Sequence, residues 1–130
     1  MRKLKFKAFC QNSAIKGVFN VDMIDFKDNL ITLRHKDSAD IEMVDLDAVR
    51  LLQDTGLKDK NGQKIYEGYI VKLVLDDGDI IIGEVRYTTT TAGYAICRGR
   101  VLLWELDGAP KDIVVVGNIY DNPELLEDTK

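Results

Sequence analysis

Between Ile65 and Tyr120 the chain repeats one pattern, a run of β-branched, aromatic and aliphatic residues followed by a cluster of turn formers. The runs cover residues 65–75, 80–90, 93–98, 101–106 and 113–120. Between them stand Asp76-Asp77-Gly78-Asp79, Thr91-Ala92-Gly93 and Asp107-Gly108-Ala109-Pro110. Strand-length runs broken at roughly 8 to 12 residue intervals leave little room for helices and point to a small barrel or sandwich. The last such break is Asn122-Pro123, where Asn122 suits an N-cap and Pro123 the first helical position. A short C-terminal helical turn is therefore expected, with Leu125 and Leu126 docking it on the body.

The first half reads as β structure too. Leu4, Phe6 and Ala8 alternate with Lys3, Lys5 and Lys7, the period of a strand with one face on a core and a lysine row in water. Such a row suits an edge strand, where repeated positive charge opposes pairing with another chain. Residues 18–26 and 30–34, separated by Lys27, Asp28 and Asn29, predict a hairpin. Asp45 suits the cap of a short helix through Leu46, Val49 and Leu52, and residues 49–52 read almost equally well as a strand. Residues 53–62, QDTGLKDKNG, concentrate turn formers and charges, and Asn61-Gly62 tolerates positive φ at both positions. The boundary is placed there, giving an N-terminal β segment over 1–52 and a β-rich unit over 53–130. The fold class is mainly β, with a β-rich α+β arrangement as the alternative. At 130 residues a chain buries roughly two thirds of the surface its unfolded form exposes, enough to fold without disulfide or metal.

Charge narrows the partners. Residues 1–50 carry 9 Lys/Arg against 8 Asp/Glu (9 − 8 = +1), and residues 51–130 carry 9 against 14 (9 − 14 = −5). A broad basic footprint for nucleic acid is missing. Cys10 and Cys97 form no CxxC pair and read as buried free thiols. The opening MRKLKFKAFC lacks the unbroken apolar run of a signal peptide. The longest apolar runs, such as residues 113–116, fall far short of the roughly 18 residues a membrane helix requires. The expectation is a cytoplasmic protein with no membrane partner.

Candidate chemistry is sparse. His35 is the only histidine, and Arg34, Lys36 and Asp37 around it resemble a solvated loop. Asp76, Asp77 and Asp79 offer carboxylates to a hard cation, but the bidentate glutamate of an EF-hand loop is missing, so a hairpin turn is the reading. Gly56, Gly62, Gly68, Gly78 and Gly83 match neither a phosphate-binding loop nor a dinucleotide fingerprint. Residues 88–91 are hydroxyl-bearing and β-branched but have no evident activating base. Tyr87, Tyr94, Trp104 and Tyr120 could stack on a base or a proline-rich peptide, though packing in a core or subunit interface is favoured. No cofactor, metal or catalytic set is expected. A metal-dependent hydrolase using Asp76, Asp77, Asp79 or Glu67 is the least favoured alternative.

Two stretches are more particular, residues 52–72 (LQDTGLKDKNGQKIYEGYIVK) and 115–127 (VVGNIYDNPELLE). With the opening LKFKAF at residues 4–9, they resemble the YopX family of small bacteriophage and prophage proteins. TGLKDKNG, IYEG and GNIYDNPELL carry the likeness, and residues 75–111 match only as a loose alternation of strands and turns. Glu67-Gly68-Tyr69 stands where the family usually reads EGD, and Phe9-Cys10 replaces a Trp-Asp pair. An acid missing at Tyr69 argues against catalysis or metal binding there.

The resemblance implies a mainly β fold with an SH3-like barrel or roll in its second half, homo-oligomers, and no established enzyme activity. The expected function is that of a noncatalytic phage or prophage accessory protein acting through protein–protein contacts and self-assembly, with a host or phage protein as partner. An SH3-like nucleic-acid-binding module is the alternative, motivated by the lysine row and weighed down by the acidic second half. Turns and packing explain most motif residues. Lys58, Asp59, Lys60, Tyr66 and Glu67 remain as the candidate interaction surface, with Tyr66 also anchoring its strand.

Overall fold

The computed structural model describes residues 5–11, 15–108 and 112–127. The strands are β1 (Phe6–Gln11), β2 (Lys16–Asp25), β3 (Leu30–Arg34), β4 (Ile41–Asp45), β5 (Val49–Lys58), β6 (Lys64–Tyr66), β7 (Tyr69–Val74), β8 (Ile80–Thr88), β9 (Gly93–Arg98), β10 (Val101–Glu105) and β11 (Ile113–Asn118). Leu46–Ala48, Leu106–Gly108 and Pro123–Leu126 form short 3₁₀ turns, and no α-helix occurs among the described residues. The fold is mainly β and antiparallel throughout. The chain divides into two compact units, Met1–Gln53 and Asp54–Lys130.

In the first unit the strand order is β4-β3-β2-β1, with the first half of β5 beside β1. Ala8, Cys10, Phe19, Ile31 and Leu33 form its core, because alternate residues of paired strands share one face. The predicted hairpin is present, with Asn29 at φ 58 closing its turn. β1 is not an edge strand, since β2 and β5 flank it. Nor is its lysine face simply wet. Lys5 is exposed, Lys7 is half-buried, and Phe9, next on that face, is buried. Lys3 and Leu4 lie outside the described residues. At Asp45 the two readings resolve into a 3₁₀ turn followed at once by strand, and the Asp45 side chain makes no capping hydrogen bond.

In the second unit β5 continues past Gln53 and pairs with β6. Residues 53–62 are therefore mostly strand, and the turn is confined to the end of the stretch. The main sheet has the order β10-β9-β8-β7-β11, an open sheet and not a closed barrel. Ile65, Val71, Leu73, Val85, Ile96, Leu106 and Ile113 make its core. The strand expected over 65–75 breaks at Glu67-Gly68, because Gly68 takes φ 81, a left-handed turn that a residue with a Cβ disfavours. The closing segment is 3₁₀, and the predicted Asn122 cap is absent because that side chain is engaged elsewhere. The turn packs beside β8, and the Arg98 guanidinium donates to the Leu126 and Glu127 carbonyls. Ala109, Pro110 and Lys111, within the expected turn before β11, lie outside the described residues.

Candidate functional site

The motif residues converge on the edge of β11. Along β5, Asp54 Oδ1 accepts the Gly56 N–H at 2.9 Å, and Oδ2 lies 3.6 Å from Lys64 Nζ. Thr55 Oγ1 donates to the Ile65 carbonyl at 2.7 Å and accepts the Leu57 N–H at 3.2 Å. Both side chains are buried and link β5 to the start of β6.

Asp59 closes the turn. Its Oδ1 accepts the Asn61 and Gln63 N–H groups, each at 2.9 Å, and its Oδ2 accepts the Val115 N–H at 3.0 Å. The adjacent Lys60 N–H donates to the Ile113 carbonyl at 3.0 Å. Ile113 and Val115 lie on the edge strand of the main sheet, so these two bonds take the place of a further strand partner. Asp59 is only 6% exposed. Burial pushes its carboxyl upward, and the N–H groups of Val115, Gln63 and Asn61 outweigh that, holding it below the usual carboxylate value.

Gly68 connects the other two motifs. Its N–H donates to the Val85 carbonyl at 2.9 Å, and its carbonyl accepts the Ile119 N–H at 2.8 Å. Beyond it, Asn118 Oδ1 accepts the Tyr120 and Asp121 N–H groups, both at 2.9 Å, and Asn122 Oδ1 accepts the Asn118 N–H at 3.2 Å. TGLKDKNG, IYEG and GNIYDNPELL are thus three parts of one hydrogen-bonded assembly.

Of the five predicted surface residues, Lys58 and Lys60 are exposed and Glu67 is half-buried. Asp59 and Tyr66 are buried, which corrects their assignment to an accessible surface: Asp59 is held by backbone donors, and the Tyr66 ring lies 5.5 Å from that of Tyr69. Tyr69, where the family acid is missing, is likewise buried.

Lys60 also borders a groove of about 370 Å³ lined by Lys72, Val74, Asp112, Val114 and Val116. Sequence reading passed over this groove because β7 and β11 look like continuous apolar runs. The signal available was the period of two, which puts Lys72 and Val74 on the face opposite Val71 and Leu73. Lys60 arrives there only because the Asp59 turn is bonded to β11.

The remaining candidates are dispersed. His35 Nε2 lies 3.3 Å from Glu42 Oε2, and its ring meets Phe19 edge-on at 5.1 Å. Asp77 Oδ1 accepts the Asp79 N–H at 2.9 Å, the bond of a hairpin turn. Among the described residues no three His, Cys, Asp or Glu side chains gather as metal ligands would. Cys10 and Cys97 are free and buried, and desolvation pushes the Cys97 thiol upward although Arg86 draws it down. Trp104 donates from Nε1 to the Gly108 carbonyl at 3.2 Å and packs on the core. Among the described residues no helix is long and apolar enough to cross a membrane.

The family model described as "YopX protein" matches residues 5–127. A solved structure, the crystal structure of protein EF1440 from Enterococcus faecalis, is similar over 96% of this chain and 99% of that one, at 24% identity and a TM-score of 0.62. That likeness concerns the fold. No curated protein matches the chain.

Proposed function

Because the chain belongs to the YopX protein family, we propose that it is a noncatalytic accessory protein of phage or prophage origin that works through protein–protein contacts, including contacts between copies of itself. The observation that carries this reading is apolar surface set on sheet faces. In the first unit Met23, Thr32 and Met43 lie in register across β2, β3 and β4, and Ile41 pairs with Arg34 in a neighbouring row. Met23 is 53% exposed, Met43 62% and Ile41 53%, and Phe26 beyond the strand is 75% exposed. Thr32, between the two methionines, is itself buried, and exposed apolar groups gathered on one sheet face mark interaction sites more often than singly scattered ones do. Methionine adapts to irregular partner surfaces.

The motif residues support the same reading, because Asp54, Thr55, Asp59 and Asn118 each hold the backbone in place. In our reading the second unit is an SH3-like roll acting in the cytoplasm of a bacterial host. Its support is the connectivity, a meander of β7 to β10, a 3₁₀ turn, and β11 returning beside β7. Size-exclusion chromatography with light scattering tests the assembly: masses above 14.7 kDa that rise with concentration are expected. A strict monomer at high micromolar concentration would remove self-assembly from the proposal.

A further inference from the structure

The groove beside β11 belongs to a larger apolar face with its own charge pattern. Val114, Lys72 and Ile82 lie in register across β11, β7 and β8, and Val74 pairs with Ile80 in the next row. Val71 and Leu73 point to the core, so these alternate residues share the opposite, outer face. On it Val74 is 36% exposed, Ile80 57% and Val116 39%. Lys72 and Lys60 lie among these aliphatic groups beside a single carboxylate, Asp112, for a local charge of 2 − 1 = +1. Among the described residues neither lysine ammonium has an ion-pair partner.

Strand addition at β11 is blocked along 113–115, where Asp59 and Lys60 already occupy the edge. A partner must come onto the face, bringing aliphatic groups and carboxylates. The chain itself carries that combination: the β7–β8 hairpin that supplies Val74 and Ile80 ends in the exposed Asp76, Asp77 and Asp79. Lys72 stands two residues before Val74 on β7, and Asp76 two residues after it, in the turn closed by the Gly78 N–H donating to the Leu75 carbonyl.

Resting on the self-assembly reading, we infer that this face pairs with the same face of a second copy about a two-fold axis near Val74. In that arrangement each Lys72 meets the other copy's Asp76, and Val74 and Ile80 of the two copies pack together. The contact is isologous, so every ionic pair occurs twice and a charge reversal is felt twice.

Analytical ultracentrifugation of the full chain, of Lys72→Glu and of Asp76→Lys tests it, with thermal unfolding confirming that each variant folds. The wild type is expected to form a concentration-dependent dimer. Each variant alone is expected to dissociate at concentrations about tenfold higher or more, since like charges then face each other across a contact. An equimolar mixture of the two variants is expected to regain the wild-type association. In the mixed dimer the introduced glutamate of one copy meets the introduced lysine of the other, and the Lys72 and Asp76 that remain meet each other. Assembly that neither variant changes, or a mixture no tighter than its components, overturns this interface and leaves self-assembly standing. A wild type that is monomeric at high micromolar concentration overturns both.

Discussion

Replacing Asp59 with Asn keeps the volume of the side chain and removes its charge. In the wild type one buried carboxylate accepts three backbone N–H groups, from Asn61, Gln63 and Val115, at 2.9, 2.9 and 3.0 Å. An amide offers one acceptor oxygen, so the variant keeps either the turn or the tie to β11, and its NH₂ then faces a backbone donor. Hydrogen bonds to charged groups contribute about 1.5 to 3 kcal/mol each. Asn61 and Gln63 are exposed and recover water, whereas Val115 is half-buried. The net loss expected is about 3 kcal/mol, equivalent to a fall in Tm of roughly 12 to 24 °C for a unit of this size. Urea unfolding followed by circular dichroism reads the difference, and hydrogen exchange localises it to the amides of Lys60 and Val115. The pH dependence supplies a second check. The folded carboxyl titrates below its ordinary value of 3.8, so its stabilisation is complete above that value and is lost as pH falls through the folded pKa. The gap between wild type and variant should therefore be constant from about pH 5 to 8 and close in stronger acid. A variant within about 0.5 kcal/mol of wild type at pH 7, the ordinary range for a surface change, would refute the assignment of Asp59 as the closure of this edge.

Gly83→Ala should destabilise the second unit by about 1 to 3 kcal/mol, measurable in the same urea titration, because its Cβ would stand 2.7 Å from Ile96 Cγ2 and 2.8 Å from the Cys97 carbonyl oxygen. Gly68→Ala forces a side chain onto φ 81 at a cost of roughly 1 to 2 kcal/mol; amide exchange at Ile119, which donates to the Gly68 carbonyl, should quicken with it. Cys97, buried and with its thiol pushed up by desolvation, should react with iodoacetamide at about pH 7.5 far more slowly than in denaturant. Labelling at equal rates would show that the thiol is open to solvent.

Much of the strand pattern could be read directly from the residues. β8 begins where Asp76-Asp77-Gly78-Asp79 ends and β9 begins at the Gly93 that closes Thr91-Ala92-Gly93, because period-two burial and turn chemistry are local properties. The hairpin of β2 and β3 is legible for the same reason. Where strand and turn signals overlap, local reading fails. Residues 53–58 carry turn formers yet continue β5, since Asp54 and Thr55 turn their polar groups onto neighbouring backbone instead of bending the chain. The expected edge position of β1 fails similarly: a lysine row describes a face, whereas edge position depends on which distant strand pairs alongside, and β5 does so.

The candidate site divides along the same line. That TGLKDKNG, IYEG and GNIYDNPELL are unusual was evident from the residues themselves, as was the small β-rich class of the chain. That Asp59 reaches Val115 across 56 positions, and that Gly68 holds Ile119, are decisions of the tertiary structure. Pairing between strands distant in sequence is fixed by the combined burial of both segments and not by either alone. The same pairing turned two predicted surface residues inward and placed Lys60 beside Lys72, assembling a face whose members are scattered through the chain.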